Sequence, residues 1–146
     1  MAFSTLRSEK YLQIGAAVLL GCGFLLLLFF VYFSFAPLTV AEYNDVRMLK
    51  KEYKAGERLL VHLEYCKKQK LPATVYPRIQ GLSSVYFLPS FTSDMPKGCV
   101  RVDLDTLSVP TNAATGYYRL FVDEVYQVTT FRRVTNSFET DEFRVE

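Results

Sequence analysis

Cysteine and histidine are side chains that often carry chemistry, and this sequence has few of them. Its 146 residues include three cysteines and one histidine, His62. His62 alternates outward on a predicted strand, and no cluster of cysteine and histidine has the spacing of a zinc site. No phosphate-binding loop, dinucleotide fingerprint or nucleophile elbow occurs in the sequence. We therefore predict a protein that is not an enzyme, with no catalytic residues, no metal site and no cofactor.

Carboxylates form three small sets, which are the remaining candidates for chemistry. The sets are Asp103 with Asp105, Asp123 with Glu124, and Glu139 with Asp141 and Glu142. Paired acids can hydrolyse glycosides or bind calcium between domains. Most such sets lie on solvated strand faces and loops, so we predict surface acids here. An enzyme would need a deep pocket holding two close carboxylates.

The elements that position these residues fall into two parts of different composition. No charged residue occurs between Lys10 and Glu42, and residues 14–36 are almost entirely hydrophobic. A helix over this run would be about 35 Å long, enough to cross a hydrocarbon core of about 30 Å. Core helices of soluble proteins rarely stay apolar on every side over this length. We predict a cytoplasmic tail over residues 1–13, a transmembrane helix over 14–37 and a domain of ordinary composition over 38–146.

Two processing signals overlap the apolar run. Residues 34–36, Ser-Phe-Ala, have the form of a signal-peptide cleavage site, but the preceding apolar stretch is longer than a secretory signal needs. Residues 19–22 resemble a bacterial lipoprotein box ending at Cys22, but hydrophobic chain continues beyond it. We predict an uncleaved anchor with Cys22 as an inert thiol. Lipidation of Cys22 remains the alternative.

From residue 38 the pattern changes to short alternating runs separated by glycine and proline. Apolar and polar residues alternate over residues 58–65, 100–105 and 117–123. A period of two indicates half-buried strands, and the glycines and prolines between them indicate turns. Strands at this spacing, with no convincing amphipathic helix, predict an all-β sandwich or barrel. Residues 41–51 fit either a first strand or a short helix.

Two stretches of the domain resemble immunoglobulin-like and fibronectin-III-like domains. The stretches are Tyr53-x-Ala55-Gly56-Glu57-x-Leu59, similar to the start of strand B, and Val109-Pro110 with Gly116-x-Tyr118-x-Leu120, similar to the E–F corner. The resemblance implies an immunoglobulin-like antiparallel sandwich, with Tyr118 as its tyrosine-corner residue. Tryptophan and the B–F cysteine pair of antibody domains are missing from the sequence. Small membrane-anchored proteins of bacterial envelopes and phages are similar in overall plan.

The resemblance also brings two cysteines together. Cys66 ends strand B and Cys99 begins strand E, and these strands are antiparallel neighbours in one sheet of such a sandwich. A disulfide between them would stabilise the domain by about 3–4 kcal/mol on the loop-entropy model. The bond needs an oxidising compartment. We therefore predict a cytoplasmic N-terminus and a periplasmic or extracellular domain.

Basic residues concentrate in the loops at one predicted pole. In the sandwich, strand A leaves the membrane, so the B–C, D–E and F–G loops lie on the membrane-proximal side. The basic residues of these loops are Lys67, Lys68, Lys70, Lys97, Arg132 and Arg133. Each could contribute about 1 kcal/mol against an anionic lipid surface, or all could be ordinary solvated charges. The net charge of +2 gives no reason to bind nucleic acid.

Aromatic residues mark a different surface. Tyr117 and Phe121 share the outward face of strand F, and Tyr76 and Tyr86 of neighbouring strands are expected to flank them. Exposed aromatic side chains on a sheet favour a protein-binding site. Cover by a loop, or the wall of a barrel core, is the alternative.

These features together predict a non-enzymatic single-pass membrane protein. It would present a β-sandwich for protein–protein interaction at the cell envelope, with the lipid bilayer and an envelope protein as partners. Two alternatives remain. The chain could be a structural subunit of a larger membrane complex, packed through Ala17 and Gly21. It could also be a phage-type lysis or exclusion factor that perturbs the membrane.

Overall fold

The computed structural model describes residues 3–146, with side chains from Gln13 onward. It divides into two compact units, Met1–Pro37 and Leu38–Glu146. The first unit contains one helix, α1, which spans Phe3–Phe35 and so begins before the predicted membrane segment. Its stretch Gln13–Phe35 is long and apolar enough to cross a membrane. The helix ends before Pro37 because a proline disfavours helical backbone at the residue that precedes it.

The second unit consists of ten strands. They are β1 (Ala41–Met48), β2 (Glu52–Tyr53), β3 (Val61–Lys67), β4 (Ala73–Gly81), β5 (Val85–Phe87), β6 (Phe91–Ser93), β7 (Gly98–Leu104), β8 (Gly116–Thr129), β9 (Arg132–Glu139) and β10 (Phe143–Val145). The mostly-β prediction is therefore confirmed. Strand β1 also decides the open question about residues 41–51 in favour of a strand.

The strands form a smaller and a larger sheet. The smaller sheet has the order β1-β3-β7, and the larger has the order β2-β10-β8-β4-β5. Strand β8 pairs with β4 along one edge, and with β10 and then β9 along the other. Strand β6 pairs with the start of β4, and β5 pairs with its end. The pairings are antiparallel, apart from the short parallel contact between β10 and β2.

The core lies between inward-facing residues that alternate along the strands. Buried positions recur at every second residue of β3, β4 and β8, as expected for strands with one face covered. Pro77 is buried in the middle of β4. It lies between the segments paired with β5 and β6, and its carbonyl accepts from Leu88 N at 2.9 Å. Proline has no backbone N–H to donate. At Pro77 none is needed, because this position lies in the gap between β5 and β6, where no strand pairs with that side of β4.

Tyr118 makes the hydrogen bond expected of a tyrosine corner. Its buried side chain donates from Oη to the carbonyl oxygen of Ala114 at 2.8 Å, four residues upstream. The ring lies against Gly81 on β4, where an added Cβ would come within 2.9 Å of a ring carbon. Glycine at residue 81 therefore leaves room for the ring.

The predicted disulfide joins β3 to β7. Cys66 lies directly opposite Cys99 in the ladder, and their sulfurs are bonded. Cys99 is exposed and Cys66 half-buried, on the outer surface of the smaller sheet. The bond thus links two residues 33 positions apart in the sequence. Cys22 in α1 is an exposed free cysteine.

Candidate functional site

The outer face of the larger sheet brings together most of the aromatic residues singled out above. Residues Tyr117, Phe121 and Asp123 all point outward from β8, because odd positions of this strand alternate with the buried even ones. Phe121 lies opposite Arg78 of β4, and Arg78 lies opposite Phe87 of β5. These three side chains therefore form one row across the sheet.

A fixed ionic contact lies at the centre of this face. Arg78 forms an ion pair with Asp123, and its guanidinium lies 5.3 Å from the centre of the Phe121 ring. Asp123 also accepts a hydrogen bond of 2.6 Å from the Ser137 hydroxyl. The bond from Ser137, with the bond from Arg78, lowers the pKa of Asp123 below its usual value. These contacts restrain Arg78 and Phe121.

Exposed aromatic side chains surround this ionic contact. Phe87 is 81% exposed and Tyr117 is 59% exposed. Tyr76 is also exposed and lies opposite Asp123. We name Tyr76, Phe87, Tyr117 and Phe121 the aromatic face. Tyr117 and Tyr76 lie towards its two ends, about 20 Å apart for six residues along β8.

An open groove adjoins the Tyr117 end of the aromatic face. It has a volume of about 430 Å³ and is lined by Leu82, Tyr117 and Phe121, with Arg119 and Glu142 among the polar residues. Leu82, at the turn between β4 and β5, is fully exposed. The groove offers apolar surface with both signs of charge beside it.

Tyr86 does not belong to the aromatic face, which corrects the grouping made from the sequence. It lies opposite the buried Ile79 and packs against the core, with its ring centre 6.1 Å from that of Tyr118. Its hydroxyl accepts from Ala114 N at 3.2 Å. Because β5 begins at Val85, residues 85 and 87 face outward and residue 86 faces inward. Phe87 therefore takes the outward position, which the alternation Val85-x-Phe87 could have indicated.

The basic residues singled out from the sequence lie together at one pole of the second unit. All of them reach the surface except Lys67, which is buried. At this pole, which we call the entry pole, the chain enters the unit at Leu38 and strands β1, β4, β7 and β9 begin. Lys68, Lys70, Lys97 and Arg133 are exposed there, and Arg132 is half-buried.

Lys67 is buried, although the sequence places it in a solvated loop. It extends the inward-facing positions of β3 by one more residue. Its Nζ donates to the Met95 carbonyl at 3.0 Å and lies 5.5 Å from the centre of the Tyr126 ring. Burial lowers the pKa of Lys67, and the charge of Glu124 opposes this effect.

Glu124 belongs to a buried polar cluster that the sequence analysis did not predict. Tyr43 and Tyr126 both donate their hydroxyls to Glu124 Oε2. Burial and the charge of Glu124 raise the pKa of Tyr43, and burial with the hydrogen bond to Glu124 raises the pKa of Tyr126. Strand parity gave the signal, because residue 124 shares the inward parity of Tyr118 and Tyr126. Glu124 is therefore an interior carboxylate and does not pair with Asp123 on the surface.

A cavity of about 40 Å³ lies next to Glu124, between the two sheets. Glu124 is the one carboxylate among its lining residues, which are otherwise mostly apolar. A site for glycoside chemistry needs two carboxylates facing one substrate. The cavity does not supply that arrangement, and its mostly apolar lining offers few hydrogen-bond partners.

The outer face of the smaller sheet carries ion pairs. Arg101 contacts Glu64 at 2.9 Å, and His62 contacts Asp103 at 2.7 Å, each pair bridging β3 and β7. We name these four residues the charged face. Across residues 13–146, whose side chains the structure describes, no three histidine, cysteine or acidic side chains form a possible metal site.

Comparison with known proteins gives a distant structural likeness. No protein-family model and no curated protein matches the sequence. The alkylpurine DNA glycosylase AlkC of Pseudomonas fluorescens, bound to DNA with an abasic-site analogue, is similar over 80% of this chain, with 13% identity and a TM-score of 0.42. The sporulation control protein Spo0M of Bacillus subtilis is similar over 75%, with 13% identity and a TM-score of 0.40. The matches cover one third and one half of those chains (33% and 50%).

Proposed function

We propose that this protein is a single-pass envelope protein whose β-sandwich binds another protein through the aromatic face. It has no catalytic role in this proposal. The exposed apolar stretch Gln13–Phe35 supports membrane anchoring, because an apolar helical surface of this length is costly in water. The Cys66–Cys99 disulfide supports an oxidising location for the second unit, with the N-terminus in the cytoplasm.

The proposed sandwich is of the immunoglobulin-like type. The order β1-β3-β7 corresponds to strands A-B-E, and β9-β8-β4-β5 corresponds to G-F-C-C′. The hydrogen bond from Tyr118 to Ala114 agrees with this assignment, because a tyrosine corner occurs at the start of strand F. In this class, a sheet face that is not covered by the other sheet is available for binding.

The observation that carries the binding proposal is the composition of the aromatic face. Tyrosine, phenylalanine and arginine are enriched at protein interfaces, where rigid rings bury a large area at a small entropic cost. Here the rings surround an arginine that Asp123 already restrains. Arg78 therefore loses little conformational freedom on binding, which favours affinity.

Site-specific photocrosslinking in native membranes tests this proposal. A photoreactive phenylalanine analogue replaces Tyr117 in the full chain, and in separate variants it replaces Phe87 or Arg101. The first two positions lie on the aromatic face, and Arg101 is an exposed control on the charged face. We expect Tyr117 and Phe87 to give the same protein adduct and Arg101 to give none.

Two results would contradict the proposal. Equal yields of one adduct from all three positions would show contact without preference for the aromatic face. Adducts from a probe at Ala17 in α1, with none from Tyr117 or Phe87, would favour the structural-subunit alternative. In both cases the assignment of the aromatic face as the binding surface fails.

A further inference from the structure

We infer that the hairpin between β8 and β9 is a second membrane contact, in which Phe131 enters the headgroup region of an anionic bilayer. This inference rests on the proposed membrane anchor and concerns a surface other than the aromatic face. Phe131 is 87% exposed, more than Phe87 or Tyr117. It occupies the turn of the hairpin, directly before Arg132 and Arg133.

The hairpin between β8 and β9 ends in a two-stranded ribbon. Strand β4 begins at Ala73, opposite Tyr126, so the last residues of β8 pair with β9 alone. Three residues of β8 beyond Tyr126 extend this two-stranded ribbon by about 10 Å. Arg133 Nε donates to Gln127 Oε1 at 2.9 Å, which ties the two strands together near the tip. Phe131 therefore lies at the tip of a hairpin whose two strands are joined by this side-chain hydrogen bond.

The ribbon extends from the entry pole, where the chain arrives from α1. Val40, Ala73 and Tyr126 form one buried cluster there. Helix α1 ends at Phe35, five residues before Val40. A segment of five residues spans at most about 18 Å. If α1 crosses a bilayer, the bilayer surface is therefore within reach of this pole.

The charge of the entry pole favours anionic lipid. Lys68, Lys70, Lys97, Arg132 and Arg133 are its basic residues outside the interior. Glu42 forms an ion pair with Lys68, and Asp94 acts on the pKa of Lys67. The five basic residues outnumber these two acids. Phosphate headgroups attract basic side chains, and aromatic rings beside basic residues are typical of interfacial contacts.

Tryptophan fluorescence of the full chain in vesicles tests the inference, because the protein has no tryptophan of its own. Three single variants are needed: Phe131→Trp, Phe87→Trp and Phe29→Trp. Phe87 is a matched control, since its exposure of 81% is close to that of Phe131. Phe29 lies in α1 and reports on the anchor. The vesicles contain phosphatidylcholine and phosphatidylglycerol, with brominated acyl chains at defined depths.

The inference predicts that brominated lipid quenches the Phe131→Trp variant and leaves the Phe87→Trp variant unquenched. The depth of the indole should be about 5–10 Å into the headgroup and acyl boundary. Replacing Arg132 and Arg133 by glutamine in the Phe131→Trp background should reduce quenching in anionic vesicles. Unchanged quenching there would overturn the proposed role of the two arginines.

The variant in α1 separates failure of the inference from failure of the anchor. Quenching of Phe29→Trp without quenching of Phe131→Trp would leave the anchor intact and overturn the hairpin contact. The hairpin contact also fails if the Phe131→Trp emission shifts only on addition of envelope protein, because the hairpin would then bind protein. Lack of quenching in Phe29→Trp would overturn the anchor, and with it the hairpin contact.

Discussion

The charged face and the aromatic face cover opposite sides of the same unit with different chemistry. On the charged face, the side chains of β3 and β7 pair with one another, as in the contact between Arg101 and Glu64. The outer face of the larger sheet also carries ion pairs, namely Arg78–Asp123, Arg119–Glu139 and Arg144–Glu146. There they lie beside rings that remain exposed, including Phe87 and Tyr117. Side chains that satisfy each other in water need no partner. Burial of exposed rings by a partner is favourable, so we propose the aromatic face, and not the charged face, as the contact surface.

The largest expected effect belongs to the smaller sheet. Replacing Cys66 and Cys99 by alanine removes the bond that closes a 33-residue separation. The free energy of unfolding should fall by about 3–4 kcal/mol, because the unfolded chain regains loop entropy. Urea unfolding of the full chain in detergent, followed by tyrosine fluorescence, measures this change. A loss below about 1 kcal/mol would mean that the disulfide does not stabilise the smaller sheet as loop entropy requires.

The next effect concerns binding through the aromatic face. Replacing Tyr117 and Phe87 together by serine should lower the yield of crosslinked partner by about tenfold or more, since each ring is expected to act as a hot-spot residue. Stability should stay within about 0.5 kcal/mol of the native value, because both side chains are exposed. The matched control replaces Arg101 and Asp103 by serine on the charged face. Equal losses of yield in both variants would remove the distinction between the faces.

A smaller effect is expected at acid pH from the centre of the aromatic face. The folded-state pKa of Asp123 is lowered, so its contribution to stability is present above the usual aspartate pKa of about 4 and is lost as pH falls below it. Asp123→Asn should remove this part of the acid dependence and cost about 1 kcal/mol near neutral pH. Unfolding free energies measured from pH 7 to pH 3 test it. An unchanged pH profile would show that the bonds from Ser137 and Arg78 to Asp123 contribute no stability.

The smallest effect is expected from an ion pair of the charged face. Arg101→Gln breaks the contact with Glu64, in which the arginine side chain is 74% exposed. Exposed pairs contribute less than about 1 kcal/mol, and salt screens them. The variant should unfold at nearly the same urea concentration as the native chain, and neither protein should respond much to added salt. A loss above about 2 kcal/mol would contradict the description of this face as solvated.

Much of the architecture could be predicted because it follows from local patterns. The apolar run and the period-two strands depend on neighbours in the sequence. The hydrogen bond of Tyr118 and the Cys66–Cys99 bond were implied by the resemblance to immunoglobulin-like domains. The interior position of Lys67 could not be found this way, because its partners, Met95 and the Tyr126 ring, are distant in sequence. Strand parity indicates the inward position of Glu124, but the contact with its partner Tyr43 could not be predicted, because Tyr43 lies in the other sheet.

The candidate site was predicted in part, for a reason of register. Tyr117 and Phe121 lie on a long strand whose alternation is evident over many residues. Strand β5 has only three residues, so its parity depends on the position at which the preceding turn ends. The sequence therefore favoured Tyr86 where the structure presents Phe87. The exposure of Phe131 likewise could not be predicted from the sequence, because it depends on the pairing of β8 with β9, which places Phe131 at the tip of a hairpin.

Hydroxyl-radical footprinting tests the central claim most directly, because it compares the two faces in the unmodified protein. Oxidation of individual side chains is measured in native membranes and in the purified full chain in detergent. If a protein partner covers the aromatic face, Tyr117 and Phe87 should be protected several-fold in membranes, while His62 of the charged face reacts equally in both. Equal oxidation of Tyr117 and Phe87 in the two preparations would contradict the account.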